Sequence, residues 1–515
     1  MINITYFSKM YRIFGVLVRI VGIFAIIVFF LSKELFVDSV EAVTDIYVNT
    51  IDDELNDDGD CSLREAIQAA NTDTEIDGCT QGDGADIIHL PAATYTLSIF
   101  GSGEGSNSTG DLNVYTDDLT ITGSGSATTT IQGDTGWDDR ILMVSGSIDL
   151  VMSGVTISGG NSNSAGGGIY HYGDGINFDD VIFSGNQGAQ GGGLYISAGN
   201  IAVLDNVKIT GNSCTSPGCT GGGIENRGTL TMTDCDVEGN TAAGNGGGLY
   251  LFQGTTMLTR VTFYDNHAAY GGGIGANGIL TLKESLLDHN HADQGAEGQG
   301  GGIFINADSV VLKNVTVSGN TATGSGGGLL QSFANTSVLN NVTMTGNNAG
   351  LDTIYAVHGG GMYLIASQMS VYNSLIAGNL VDGVPEIAGV DCSEFDSTIL
   401  SGGYNIEGVK ADSPRTCDFT GLGDQQGTTL SPIDPHLGPL ADHGGSSETH
   451  MLLAGSPAID AGNPVAPGSG GLACEATDQR GFTRPMDGDV DGTAVCDIGA
   501  YEFEAYKLYL PLILR

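Results

Sequence analysis

Between about residues 150 and 379 the apolar residues recur in short alternating runs. Each run closes on an asparagine: Asn186, Asn212, Asn240, Asn266, Asn290, Asn320, Asn347 and Asn379. Three residues before these stand Phe183, Ile209, Val237, Phe263, Leu287, Val317, Met344 and Ile376. Five before stand Val181, Val207, Cys235, Val261, Ser285, Val315, Val342 and Ser374, and eight before stand Phe178, Leu204, Met232, Leu258, Leu282, Leu312, Leu339 and Val371. Positions two apart share one face of a strand, while Lys208 or Glu238 between them faces water. No run follows the helical period of about 3.6 residues, so helical and leucine-rich repeats fit poorly.

Each run follows a glycine triplet and an aliphatic residue. The triplets begin at Gly166, Gly191, Gly221, Gly246, Gly271, Gly300, Gly326 and Gly359, separated by 25, 30, 25, 25, 29, 26 and 33 residues. A period in this range marks a solenoid. A coil of this length holds three short strands and three bends. Stacked coils pair each strand with its equivalents at about 4.8 Å and together bury an apolar side that one coil alone cannot bury. The pattern therefore predicts a parallel β-helix of about ten to thirteen coils, roughly 50–60 Å long. Glycine allows the tight bends and positive φ. The closing asparagine suits a left-handed backbone, a local hydrogen bond or a ladder along the stack. No Gly-Lys-Ser or Gly-Lys-Thr follows a triplet, which excludes a phosphate loop.

Composition narrows the setting. Among 515 residues, 82 glycines against 12 prolines and 40% apolar content argue against collagen and against disorder. With 60 acidic and 17 basic residues the net charge is -43, which repels nucleic acid and anionic membranes. Nine cysteines fall into four near pairs, Cys61 with Cys79, Cys214 with Cys219, Cys392 with Cys417 and Cys474 with Cys496. Such pairs suit disulfides in an oxidising compartment. Cys235 is left over at an inward position and reads as a small buried apolar residue. The bend around Pro217 and Gly218, stapled by Cys214 and Cys219, accounts for the 30-residue repeat.

Residues 1–42 carry Lys9, Arg12 and Arg19 ahead of an apolar run from Ile20 to Leu31, with Val40-Glu41-Ala42 as a cleavage site. They read as a signal peptide or an uncleaved membrane anchor, and either places the remainder outside the cytoplasm. A strand at Asp45–Thr50 and an acidic turn over Asp52–Asp60 precede the string CSLREAIQAAN at 61–71. Ser62 and Glu65 have capping-box spacing, and Leu63, Ala66, Ile67 and Ala70 form one stripe. A short amphipathic helix is expected there, covering the open end of the solenoid. This stretch, 43–90, resembles the N-terminal CSLREA-type domain of secreted bacterial β-helix proteins. The resemblance implies an all-β, right-handed parallel β-helix with a short N-terminal capping helix, here over 91–380 with irregular terminal coils at 381–429. Gly402–Ile406 is expected in the last coil. From Ser431 onward, SPIDPHLGPLADHGG, LAGSPAIDAG, DQRGFTRP and CDIGAYE resemble the choice-of-anchor Q region, over 430–505. Such regions precede a surface-attachment signal, and the tail 506–515 reads as a sorting tail or a last packing strand.

Candidate chemistry is sparse. Asp487, Asp489 and Asp491, followed by Gly492, have the spacing that opens a calcium loop, because alternate carboxylates turn toward one hard cation. Ile498 occupies the twelfth position, so Asp497 is the fourth candidate ligand for Ca2+. A solvated acidic turn is the other reading, and no other cofactor is expected. The Asp52–Asp60 cluster is similar but less ordered. His267, His289 and His291 flank the closing asparagines of neighbouring coils, where a metal corner or plain surface histidines are both open. Trp137 covers a coil edge or offers a sugar platform. Arg64 and Glu65 read as helix and cap residues. Pectinase-like Gly-His-Gly and Arg-x-Lys strings do not occur, and the adjacent pairs Asp138-Asp139 and Asp179-Asp180 fit ordinary bends. Lys208, Arg227, Arg260, Lys283 and Lys313 are scattered.

These features point to a secreted cell-surface structural or adhesive protein that binds an extracellular glycan or surface protein. Membrane contact is confined to the N-terminal segment or a sorting step. A polysaccharide-active hydrolase or lyase is the alternative. Binding predicts an exposed polar or aromatic ladder, whereas catalysis predicts two converging carboxylates.

Overall fold

The computed structural model describes residues 43–505 except 215, 296, 307–308, 334–335, 351–358, 383–389 and 411–415. The expected leader 1–42 and tail 506–515 lie outside the described residues. The chain forms an all-β, right-handed parallel β-helix of about ten turns with a single short N-terminal helix among the described residues. Three parallel sheets of 21, 11 and 7 strands build the stack, the last of them only from Ser213–Cys214 to Leu380–Val381. One coil shows the path. The triplet from Gly191 leads into Leu194–Ile196 of the 11-stranded sheet, then Ile201–Asp205 and Lys208–Thr210 of the 21-stranded sheet, then Ser213–Cys214 of the 7-stranded sheet.

All three aligned apolar columns are buried, as the alternation requires. Positions eight and five before the asparagine nevertheless differ by an odd number, and strict alternation would turn one of them outward. The residue between them resolves this. Asp180, Asn206, Asp234, Arg260, Glu284, Asn314, Asn341 and Asn373 all adopt φ between 51° and 55°, a left-handed bend that swaps the faces. Six of the eight are Asp or Asn, the residues that best tolerate it.

The closing asparagines are themselves not left-handed; the residue before each of them is. Their side chains form the ladder. Each Nδ2 donates to the Oδ1 of the asparagine in the next coil, at 2.8–3.0 Å. From Asn212 onward each Oδ1 also accepts the backbone N–H of the preceding asparagine, as Asn266 does from Asn240 at 3.1 Å, while Asn186 accepts from the N–H of Gly160. The second amide hydrogen satisfies a backbone carbonyl, Val237 in the case of Asn266. The column ends on Asp391, whose carboxylate accepts from Asn379 Nδ2, Asn379 N and Val409 N.

Leu63–Thr72 is the expected helix, with Ser62 and Glu65 closing a reciprocal capping box. The Arg64 guanidinium is fully buried, pairs with Asp53 at 2.6 Å and donates to the Gly110 carbonyl at 2.8 Å. Asp53 in turn accepts from the N–H groups of Ser98 and Ile99, so the cap is tied to the first coils. All four expected disulfides form, and Cys235 is free and buried, its thiol pushed up to about 12 by desolvation. Trp137 is buried and donates to the Arg140 carbonyl, so it covers a coil rather than meeting solvent.

Parallel pairing continues past residue 380 through Cys392–Phe395, Thr398–Gly403, Ile406–Lys410 and Gln425–Thr428. The chain then folds back along the side of the last coils. Asn314 donates to Thr477, Thr316 to Gln479 and Asn341 to Gly499, while Lys313 pairs with Glu475 at 2.8 Å. Within this segment Arg484 and Glu502 form a fully buried pair at 2.7 Å.

Candidate functional site

The 11-stranded sheet presents one outward residue per strand, and register stacks these into a column: Met143, Tyr170, Tyr195, Glu225, Tyr250, Gly275 and Phe304. Tyr172 and Phe252, at the ends of their strands, are 59% and 41% exposed. The rings form two groups, and within the column Tyr195 and Tyr250 are themselves buried, at 8% and 5% exposure. Tyr170 stacks on Tyr195 at 5.2 Å and on Tyr172 at 6.4 Å, and Tyr250 meets Phe252 edge-on at 6.1 Å. Arg227 bridges the two halves, 5.4 Å above Tyr195 and 4.3 Å above Phe252. Glu225 holds that guanidinium at 2.6 Å, and the Tyr250 hydroxyl accepts from Asn277 at 2.7 Å. From the coil of Arg140 to that of Asn277 there are five steps of about 4.8 Å, a strip about 24 Å long. No aromatic periodicity announced it. It arises because coils of unequal length still keep register in this sheet.

At its N-terminal end the strip meets a pair of buried carboxyls. Arg140 lies 5.1 Å over the Tyr170 ring and 3.6 Å from Asp111. Desolvation, then the charge of Asp139, pushes the Asp111 carboxyl up to about 7. Asp139 accepts from the Asp111 backbone N–H at 3.4 Å, and the loop over residues 98–110 packs against it through Gly110. Asp139 was legible as half of an acidic doublet, but Asp111 gave no sequence signal.

The acidic turn brings together a different set from the expected one. Oxygens of Asp460, Asp487 and Asp489 lie within 4.8 Å of one another. Asp460 accepts from the N–H groups of Gly488 and Asp489, both at 2.9 Å, which orders the turn, and Asp487 Oδ1 is buried without a hydrogen-bond partner. Asp491 caps Thr493 at 2.7 Å and stands outside this trio. Asp497 is fully buried, accepts from the N–H of Asp460 at 2.7 Å, and is pushed well up by desolvation and by Glu502. It braces the turn from behind. Three carboxylates are the donor type a hard cation such as Ca2+ prefers. A similar convergence links Glu54, Asp58 and Asp60, and Asp60, Glu65 and Asp77, at the N-terminal cap.

Of the three histidines, His267 and His291 stack at 4.7 Å beside Asp265, whereas His289 pairs separately with Asp288 at 2.7 Å.

A family model described as a right handed beta helix region matches residues 139–349. Among solved structures, the chain is similar to the crystal structure of pectate lyase Pel9A, at 15% identity and TM-score 0.39, over 90% of this chain and 98% of that one. No curated protein matches the sequence.

Proposed function

We propose that this is a secreted, surface-associated bacterial rod that binds an extended extracellular polysaccharide along the strip from Arg140 to Asn277. The observation that carries the reading is the stack of Tyr170 on Tyr195, with the Arg227 guanidinium between Tyr195 and Phe252 and the exposed Tyr172 beside them. The exposed rings of Tyr172 and Phe252 suit the apolar faces of sugar rings, and the two guanidiniums supply donors to hydroxyls or uronate carboxylates. The resemblances at 43–90 and 430–505 support display at the cell surface, and the acidic turns are candidate Ca2+ braces through Asp460, Asp487 and Asp489. Calorimetric titration against neutral and uronic-acid polysaccharides tests the proposal. Saturable binding lost in Tyr170→Ala and Phe252→Ala supports it; binding that ignores both substitutions, or no binding across the panel, overturns it.

Asp111 favours a second reading, a polysaccharide-cleaving enzyme. A carboxyl pushed up to about 7 beside Arg140 is matched to proton transfer near neutral pH, and Asp139 supplies the second carboxylate. The 98–110 loop has to open for substrate to reach them. Release of reducing ends or unsaturated sugars by the full chain, lost in Asp111→Asn, would establish this reading; substrate turnover unchanged by that substitution would end it.

A further inference from the structure

The corner just past the asparagine ladder stacks Thr241, His267, His291, Thr321 and Asn348 in register in the seven-stranded sheet. Parallel in-register pairing places like groups face to face, so the two imidazoles lie 4.7 Å apart at 26°. Their outer nitrogens are each engaged. His267 Nδ1 meets the Asp293 carboxylate at 2.9 Å, and His291 Nδ1 meets the Thr321 hydroxyl at 2.7 Å. Their Nε2 atoms both point to one oxygen, Asp265 Oδ1, at 3.4 Å each. An imidazole that gives its Nδ1 proton to a carboxylate or hydroxyl presents a bare lone pair at Nε2. In the tautomer that carries its proton on Nδ1, each imidazole aims a lone pair at Asp265, and a cation between the three groups turns that repulsion into attraction.

The distances discriminate between cations. Ligands bound tetrahedrally at about 2.0–2.2 Å lie about 3.3–3.5 Å from each other. The two Nε2 to Oδ1 separations of 3.4 Å have that length, and all three ligand atoms lie within 4.8 Å of one another. Two imidazoles and one carboxylate suit a borderline transition metal, unlike the all-oxygen group at Asp460.

The backbone supplies an independent sign. Asp265 occupies the left-handed position before the closing asparagine, with φ of 52°. Six of the eight aligned coils place glycine there, namely Gly185, Gly211, Gly239, Gly319, Gly346 and Gly378, all at positive φ. A carboxylate replaces glycine at this strained position in the coil that also carries His267, and His289 takes the same position one coil later.

We propose that Asp265, His267 and His291 bind a divalent transition-metal ion, with Zn2+ the best match, while Asp293 and Thr321 orient the two imidazoles. The three side chains are 51%, 31% and 24% exposed, which leaves a solvent-facing position for water or a ligand oxygen. The site stands on a different sheet from the aromatic strip and does not depend on it.

The test uses the purified full chain, stripped with chelator and titrated with Co2+ as a spectroscopic probe, then with Zn2+ and Ca2+ as competitors. The expected result is one equivalent of Co2+ with the intense visible bands of low coordination number, displaced by Zn2+ and not by Ca2+. His267→Ala or His291→Ala abolishes the bands. Asp265→Gly, which installs the residue of the other coils, weakens binding about ten-fold or more with an unchanged circular-dichroism spectrum, and Thr321→Val does so to a lesser degree. No saturable Co2+ binding by the unsubstituted chain overturns the proposal. So do bands that survive in the histidine variants, or affinity indifferent to Asp265→Gly.

Discussion

Two columns run parallel to the rod axis and obey opposite rules. The asparagine ladder keeps one residue type through eight coils, every member buried. The outward column of the 11-stranded sheet varies along its length, from Tyr170 and Tyr195 to Glu225, Tyr250, Gly275 and Phe304. The reason is the partner each must satisfy. A ladder asparagine answers a fixed set of backbone and amide groups that water cannot reach, and no other side chain offers the same donors and acceptors in that geometry. The residues of the outward column answer chiefly their side-chain neighbours, and it is Tyr172 and Phe252 beside it that meet solvent. Uniformity here marks architecture, and variation marks positions that no fixed set of backbone partners constrains.

Breaking the ladder should cost most. Asn266→Ala strips the side-chain and backbone donors of Asn240 and the carbonyl of Val237 of their partner. A loss of about 3–5 kcal/mol is expected in denaturant titrations, with hydrogen exchange locating the opening at those coils. The strip should respond in the reverse sense. Phe252→Ala or Tyr172→Ala should change stability by less than about 1 kcal/mol yet lower polysaccharide affinity about ten-fold, read by calorimetry.

A milder distinction appears with pH. The folded Asp111 carboxyl, pushed up to about 7, holds its proton at pH values where the unfolded chain has lost it. Its contribution to stability is therefore complete below about pH 4 and declines as the pH rises toward 7. Denaturation midpoints measured across that window should show the decline, and Asp111→Asn should remove it. The smallest effect belongs to Asp265→Gly. Relieving a left-handed non-glycine should leave stability unchanged or raise it by about 0.5–1 kcal/mol, checked by the same titration.

Much of the architecture was legible because period-two burial, closing asparagines and near cysteine pairs are local signals. Ser62 and Glu65 announced their capping box, and Phe183 and its equivalents announced the core. The left-handed bend at Asp180 and its equivalents was not legible, because Arg260 and Glu284 share it with Asp and Asn, and only the backbone reveals the common conformation. The acidic turn was half legible. Asp487 and Asp489 met as their spacing implied, but Asp460 joined them from a distant loop while Asp497 turned inward. The approach of Asp111 to Arg140, like the stacking of Tyr170 on Tyr195, depends on register between coils of different length. His267 and His291 were placed at one corner by their offset from the closing asparagines, but their shared aim at Asp265 depends on the left-handed bend at that residue, which no local pattern announces.

The ladder also has a direction. Every amide in it points its nitrogen toward the following coil, so the side-chain dipoles add head to tail, positive toward the C-terminal end, and there they meet the anionic side chain of Asp391. Each link refers only to the next one. A coil duplicated in the middle of the rod inherits a correct donor below and a correct acceptor above, whereas the terminal anion has one valid address. Growth by whole coils is thus cheap for such a protein, and its length can drift over generations while its two ends stay as they are.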